Sequence, residues 1–191
     1  MNKTRILVES AVMIALSTVL SVFAVYKLPF GGSVTLMSQL PIILIAYRHG
    51  TKQGLITGIV LGAVQMILGA KNFSYVSGIG AMIILAFSDY IAAFGVLGLG
   101  GIFRKCLNKP ALELAFGSVS SSLMRYLCHI ISGVTIWSAY APETQTVLHY
   151  SVVYNASYMI PELIITAAGA LAIGYTFDLL LPEIKLRKRN N

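Results

Sequence analysis

Residues 81–109 read AMIILAFSDYIAAFGVLGLGGIF and then RKCLNK. The first part carries one charge, Asp89, over a length matching the roughly 20 apolar residues needed to cross a bilayer. The second part brings Arg104, Lys105 and Lys109 together at its end. An apolar run stopped by a basic cluster marks a span ending on the cytoplasmic side, where Lys and Arg are retained. The arrangement recurs along the chain. Lys3 and Arg5 open it, Arg48 and Lys52 flank an early turn, and Lys185, Arg187, Lys188 and Arg189 close it. These four clusters hold eleven of the fourteen basic residues and fall once per two apolar runs. The pattern predicts a polytopic membrane protein with both termini cytoplasmic.

Composition agrees. Of 191 residues, 57% are hydrophobic and 11% charged, less than half the charged share of a soluble domain (about a quarter). The length accommodates about six spans with short connections, so the expected architecture is an all-α six-transmembrane-helix bundle forming a single membrane domain, 1–191. The net charge of +7 does not argue for a nucleic-acid partner, because the excess sits at span ends, where it sets topology and meets anionic lipid. The segment after Arg5 is long for a signal-peptide core and lacks a small-residue cleavage site, so it reads as the first span. Cys106 and Cys128 stand in no metal or redox spacing and are expected as ordinary small side chains without a disulfide.

The spans are expected at 6–26, 34–47, 54–70, 81–103, 112–137 and 150–181. Lys27-Leu-Pro-Phe-Gly-Gly-Ser33 breaks the first and lies outside. The second is short and contains Pro41, which implies a half-irregular element of the kind tolerated where it lines a cavity. Gly54, Gly58 and Gly62 put a smooth stripe on one face of the third span for close helix contact. Loops 71–80 and 138–149 fall outside, leaving only Lys27 and Lys71 as external basic residues.

Ionisable and polar groups inside spans are costly and mark candidate sites. Asp89 and Tyr90 lie in span 4. Arg125 and His129 share a face of span 5 at i, i+4, with Trp137 further along it. Tyr150, Tyr154, Asn155 and Tyr158 crowd the outer part of span 6, followed by Glu162. Together they describe an external pocket for a small, polar, aromatic and cationic ligand. Rings stack on rings or cations, Asp89 offsets charge, and Asn155 supplies oriented hydrogen bonds. Plainer readings stand beside this. Trp137, Tyr26, Tyr47 and Tyr140 fit an interfacial belt, His129 a helix–helix hydrogen bond, and Arg125 a structural pair with Asp89 or Glu162. Glu9 and Asp178 fall near cytoplasmic ends as solvated or interhelical groups. Asp89 and His129 lack metal-site spacing, so no metal or cofactor is expected. No HExxH, GxSxG, paired carboxylates or P-loop occurs, so the chain is expected to be no enzyme and not to hydrolyse ATP itself.

Several stretches resemble one family across nearly the whole chain. They are Gly31-Gly-Ser-Val with Pro41-Ile-Ile-Leu-Ile-Ala-Tyr-Arg-His-Gly50, Asp89-Tyr-Ile-Ala-Ala-Phe94, Leu123-Met-Arg-Tyr-Leu-Cys-His-Ile-Ile-Ser-Gly133, Trp137-Ser-Ala-Tyr-Ala-Pro142 and Tyr150-Ser-Val-Val-Tyr-Asn-Ala-Ser-Tyr-Met-Ile-Pro161. The chain resembles the thiamine-specific S component of the energy-coupling factor (ECF) transporters. The resemblance implies a six-helix fold with an external vitamin pocket and ligand contacts at Asp89, Tyr90, His129, Trp137, Tyr150 and Asn155. It also implies an Ala11-Val-Met-Ile-Ala15 face that docks on a transmembrane coupling subunit. Some relatives carry Trp and Glu where this chain has Gly32-Ser-Val-Thr-Leu36, and some carry Glu in place of Asp89.

The expected function is thus a substrate-binding subunit of an ECF-type importer in the bacterial plasma membrane. It takes thiamine (vitamin B1) from outside and works with the coupling subunit and two ATPase subunits. Within this class the alternative ligand is the hydroxymethylpyrimidine precursor or a vitamin B6 form. Outside it stand a proton-coupled carrier acting alone through Asp89, His129 or Glu162, and a structural membrane scaffold.

Overall fold

The computed structural model describes residues 2–181 and 183–187. Its first helix, α1 (Lys3–Val22), starts where the Asn2 side chain accepts from the Thr4 amide at 3.2 Å. It stops earlier than the apolar pattern suggests. Residues 24–35 instead form a hairpin of β1 (Ala24–Lys27) and β2 (Ser33–Thr35), paired antiparallel with Lys27 opposite Ser33. The β-branched Val25, Val34 and Thr35 and the aromatic Tyr26 suit a pleated strand, and Gly31 takes the positive φ of the turn. The first span therefore does not reach Tyr26.

Helix α2 (Leu40–His49) is short, and Pro41 sits in its first turn, where a missing amide costs nothing. The irregular half expected of span 2 is β2 and the turn after it. Gly50 then connects α2 directly to α3 (Thr51–Leu68). The fourth helix, α4, runs Ile79–Gly101. It is regular at first, widens to π geometry over Ala86–Ala92, and tightens to 3-10 geometry over Val96–Gly101. Helix α5 (Pro110–Thr135) opens on proline, and α6 (Val147–Thr176) opens on a Thr146 cap that accepts from the His149 amide. The last span ends at Thr176 rather than 181, because β3 (Phe177–Asp178) pairs with β4 (Lys185–Leu186).

Four of these helices, α1, α3, α4 and α6, are long and apolar enough to cross a membrane. Helix α5, at 26 residues, has the length, but its inner face carries Ser118, Ser121, Ser122 and Ser132, all fully buried. The glycine stripe of α3 meets α4 as its spacing predicts. A Cβ on Gly62 would lie 2.6 Å from the Tyr90 carbonyl oxygen, and one on Gly58 would overlap that of Phe94. Backbone therefore lies on backbone behind the π segment, which fixes where Asp89 projects.

The basic clusters gather at one end of the bundle. Glu9 of α1 accepts from Arg5 at 2.9 Å and Arg48 at 2.8 Å, and lies 2.7 Å from His49. Arg48 also donates to the carbonyls of Leu179 and Leu181. Glu9 is thus an interhelical clasp rather than a solvated charge. Nearby, the Tyr47 hydroxyl donates to Glu113 at 2.6 Å, and Glu113 accepts from the Leu107 amide at 2.8 Å. Tyr47 is 1% exposed, so it belongs to the core and not to an interfacial belt. Lys188 and Arg189 lie outside the described residues.

Candidate functional site

At the opposite end lies a cavity of about 450 Å³, within the range of small-molecule sites (roughly 300–1,000 Å³). All six residues singled out as ligand contacts line it: Asp89, Tyr90, His129, Trp137, Tyr150 and Asn155. Helices α4, α5 and α6 form one wall, as expected. The other wall comes from elements beyond those three: α1 contributes Ser21, α3 contributes Gln65, and the hairpin contributes Lys27 and Gly32. The hairpin tip rests on the cavity. Tyr154 donates its hydroxyl proton to the Pro29 carbonyl, and Gly31 packs against Asn72.

Asp89 is the centre of the polar network. Its carboxylate accepts from Ser132 Oγ at 2.7 Å and from Trp137 Nε1 at 3.0 Å, and lies 3.0 Å from His129 Nδ1. Those partners stand at 129, 132 and 137, on successive turns at the outer end of α5 and just beyond it. With Nδ1–H donating to Asp89, Nε2 is the acceptor; it is buried without a partner among the described residues. Trp137 is therefore no lipid anchor. Its ring faces Tyr140 and Tyr75 at centroid distances of 5.8 and 6.3 Å.

The remaining site residues divide by how their polar atoms are used. Tyr90 donates to the Gly69 carbonyl and accepts from Asn72 Nδ2 at 3.0 Å, stacked on Phe73. Its hydroxyl ties α4 to the connection before it, and its ring remains at the cavity wall. The amide of Asn155 donates to the Ser151 and His129 carbonyls, and its Oδ1 accepts from Tyr158 at 2.6 Å. Asn155 thus joins α6 to α5 at the level of His129. Tyr150 stands 5.8 Å from Tyr154, ring to ring.

Arg125 does not form the ion pair expected with Asp89 or Glu162. Its guanidinium lies over the Phe94 ring, 4.2 Å from the centroid, and Nε has no partner among the described residues. Glu162 is held instead by the Thr35 amide, Thr35 Oγ1 at 2.6 Å and Ser38 Oγ at 3.3 Å. Both side chains line the cavity. Ser132, Ser21, Gln65 and Gly32 carry no sequence signal of their own, since neutral side chains like these are common in membrane proteins, whereas Lys27 reads from the sequence only as an external basic residue. Ala11 and Ala15 lie on the exposed face of α1, among Leu7, Val8, Val12 and Leu16. Among the described residues no three His, Cys, Asp or Glu side chains gather as a metal site.

Long apolar helices around an aromatic, carboxylate-centred cavity define a multi-pass membrane protein built to hold a small ligand. The chain belongs to the thiamine transporter protein family Thia_YuaJ, whose model matches residues 7–180. This is a family of transporters rather than enzymes. The chain is 37% identical over 190 residues to the thiamine transporter ThiT of Bacillus subtilis, covering 94% of this chain and 95% of that protein. It is 28% identical over 137 residues to ThiT of Lacticaseibacillus paracasei, covering 66% of each. The solved structure of ThiT from Listeria monocytogenes shares the fold, with a TM-score of 0.75 at 23% identity, covering 90% of this chain and 94% of that one.

Proposed function

We propose that the protein is the thiamine-binding S component of an ECF-type importer in the bacterial plasma membrane. All six helices belong to the membrane-embedded bundle, the basic end is cytoplasmic, and the cavity opens outside. The observation that carries this reading is the Asp89 carboxylate, fixed by Ser132 and Trp137 beside His129 in a ring-lined cavity. A permanent organic cation entering such a low-dielectric site needs a fixed negative partner. The thiazolium of thiamine supplies the cation. Its aminopyrimidine supplies an N–H donor for His129 Nε2, and Trp137, Tyr90 and Tyr150 supply faces for the rings. Asn155 holds the His129 wall in place.

The chain has no nucleotide-binding motif, so uptake requires partners. The Ala11 and Ala15 strip on α1 is the face for a transmembrane coupling subunit, which two ATPase subunits drive. Small residues four apart admit close helix approach.

Trp137 is the sole tryptophan, so titration of the purified protein with thiamine is read directly in its fluorescence. Quenching that saturates well below millimolar thiamine is expected. No quench rejects thiamine, and displacement of thiamine by a neutral hydroxymethylpyrimidine transfers the reading to that precursor.

A further inference from the structure

We infer that a structural water binds inside the bundle, below the ligand cavity, where Gln39, Ser122 and Thr166 converge, and that it fastens the start of α2 to the α5–α6 pair. The site is independent of which ligand the cavity takes.

Three helices bring these residues together. Helices α5 and α6 run antiparallel, since Asn155 donates to the His129 carbonyl while a Cβ on Gly174 would meet Ala111. With those two pairs as fixed points, Thr166 falls opposite Ser118, one helical turn from Ser122. Thr166 also faces the start of α2. Glu162, four residues before it, accepts from Thr35 and Ser38. A Cβ on Gly169, three residues after it, would lie 3.0 Å from Leu40 Cδ2. Residues at these spacings share one helix face. From the start of α2, Gln39 Oε1 accepts from Ser122 Oγ at 3.0 Å. Gln39, Ser118, Ser121, Ser122 and Thr166 are all fully buried, and none of the five lines the ligand cavity.

Two polar atoms in this layer have no partner among the described residues: Gln39 Nε2 and Thr166 Oγ1. Each is costly to leave unpaired away from bulk water. The Gln39 amide carries two N–H donors, and a threonine hydroxyl both donates and accepts. Thr166 does not make the bond to the carbonyl four residues back that commonly satisfies a helical threonine. Ser118 donates to the Ala115 carbonyl at 2.8 Å and Ser121 to the Ser118 carbonyl at 3.2 Å, so both hydroxyl oxygens keep lone pairs to offer.

An occupant that satisfies the site accepts from the Gln39 amide and bonds the Thr166 hydroxyl. Water does both, and a buried water typically makes about three such bonds. An apolar group leaves both atoms unpaired. A cation is repelled by the amide N–H groups. Turning the Gln39 amide round exchanges Nε2 for Oε1; water serves that arrangement equally, but a monovalent cation then fits as well, so the experiment separates the two. The bridge lies next to the turn of Thr35 and Ser38 that holds Glu162, and it ties that turn to α6 a second time.

Thermal unfolding of the full-length protein in detergent tests the site through a sign. Valine has the shape of threonine without the hydroxyl. If the Thr166 hydroxyl is orphaned, Thr166→Val removes an unpaired buried group and raises Tm. If a water bridges it to Gln39, the same change strands the bridge, and Tm is expected to fall by about 2–4 °C. In a Gln39→Met background the bridge is already gone, so Thr166→Val is expected to leave Tm unchanged or raise it. A wild-type crystal structure that resolves ordered water is expected to show one oxygen within hydrogen-bond distance of both side chains. It decides the matter even where a variant does not fold. A Tm that is unchanged or raised by Thr166→Val alone overturns the site, and so does an equal fall in both backgrounds or side-chain packing that leaves no room for a water. A Tm higher in sodium chloride than in choline chloride, with the difference lost in Thr166→Val, overturns water in favour of a bound cation.

Discussion

Asp89 shows how much a single membrane carboxylate depends on its surroundings. Left alone in a span it is costly; here Ser132 and Trp137 donate to it and His129 lies at 3.0 Å. None of these three brings a fixed positive charge, so the carboxylate's charge is still available to a cationic ligand. Asp89→Asn removes that charge and turns an amide N–H toward groups that donate. Hydrogen bonds to charged groups contribute about 1.5–3 kcal/mol, so thiamine affinity is expected to fall about 10–100-fold, read by Trp137 fluorescence. Asp89→Glu keeps the charge and is expected to fall far less. Unchanged affinity in Asp89→Asn would remove the carboxylate from the binding account. Asp89 stands out in the sequence because one acid in a long apolar run has few structural explanations. The wrong partner for Arg125 was not avoidable that way. Opposite charges on neighbouring spans suggest a pair, yet Phe94 offers the guanidinium a ring face that no charge pattern reports.

At the scale of elements, the α3–α4 contact is what delivers Asp89 to the cavity. The stripe of Gly54, Gly58 and Gly62 was legible because small residues at a four-residue repeat have one common use in membrane helices. The π geometry of Ala86–Ala92 was not, since an extra residue per turn leaves no compositional trace. The 24–35 hairpin was hidden for a different reason. Its Val25, Tyr26 and Val34 extend the apolar pattern of α1, and both a helix end and a strand tolerate them. The glycine argument gives opposite signs at two positions. A Cβ at Gly58 would collide with the Phe94 carbonyl, whereas one at Gly80 meets nothing within 4 Å. Gly58→Ala is expected to cost about 1–3 kcal/mol of stability, as overpacking does, and to weaken thiamine binding by shifting the π segment. Gly80→Ala, inside α4, is expected to be neutral or to gain up to about 1 kcal/mol from helix propensity. Thermal unfolding in detergent compares the two, and a Gly58→Ala protein as stable as wild type would show that α3 and α4 are free to separate.

For the whole molecule, the decisive relation is that the cavity and the basic clusters occupy opposite ends. Glu9, Arg48 and the Leu179 and Leu181 carbonyls clasp one end together, while Lys27 and Asn72 stand at the other with the cavity. Two consequences are measurable. Ala15→Leu enlarges the exposed strip of α1 away from the cavity, so under the proposed docking role it is expected to abolish uptake by the importer reconstituted with its proposed partners while leaving thiamine affinity of the isolated chain unchanged; uptake equal to wild type would remove the docking role. Orientation is tested separately. In the proposed orientation, with Lys and Arg retained on the cytoplasmic side, the 102–109 connection lies inside the cell, and that connection carries the exposed Cys106. Lys71, exposed beside Asn72, marks the cavity end. In a Cys128→Ser background, a membrane-impermeant thiol reagent is expected to spare Cys106 in intact cells and to label it in inside-out vesicles. Moving the thiol with Cys106→Ser and Lys71→Cys is expected to reverse the pattern, because the proposed orientation puts the new site on the side from which the ligand arrives. Labelling of Cys106 from outside would turn the bundle over, and the cavity would then face the cytoplasm, where it could release thiamine but not capture it.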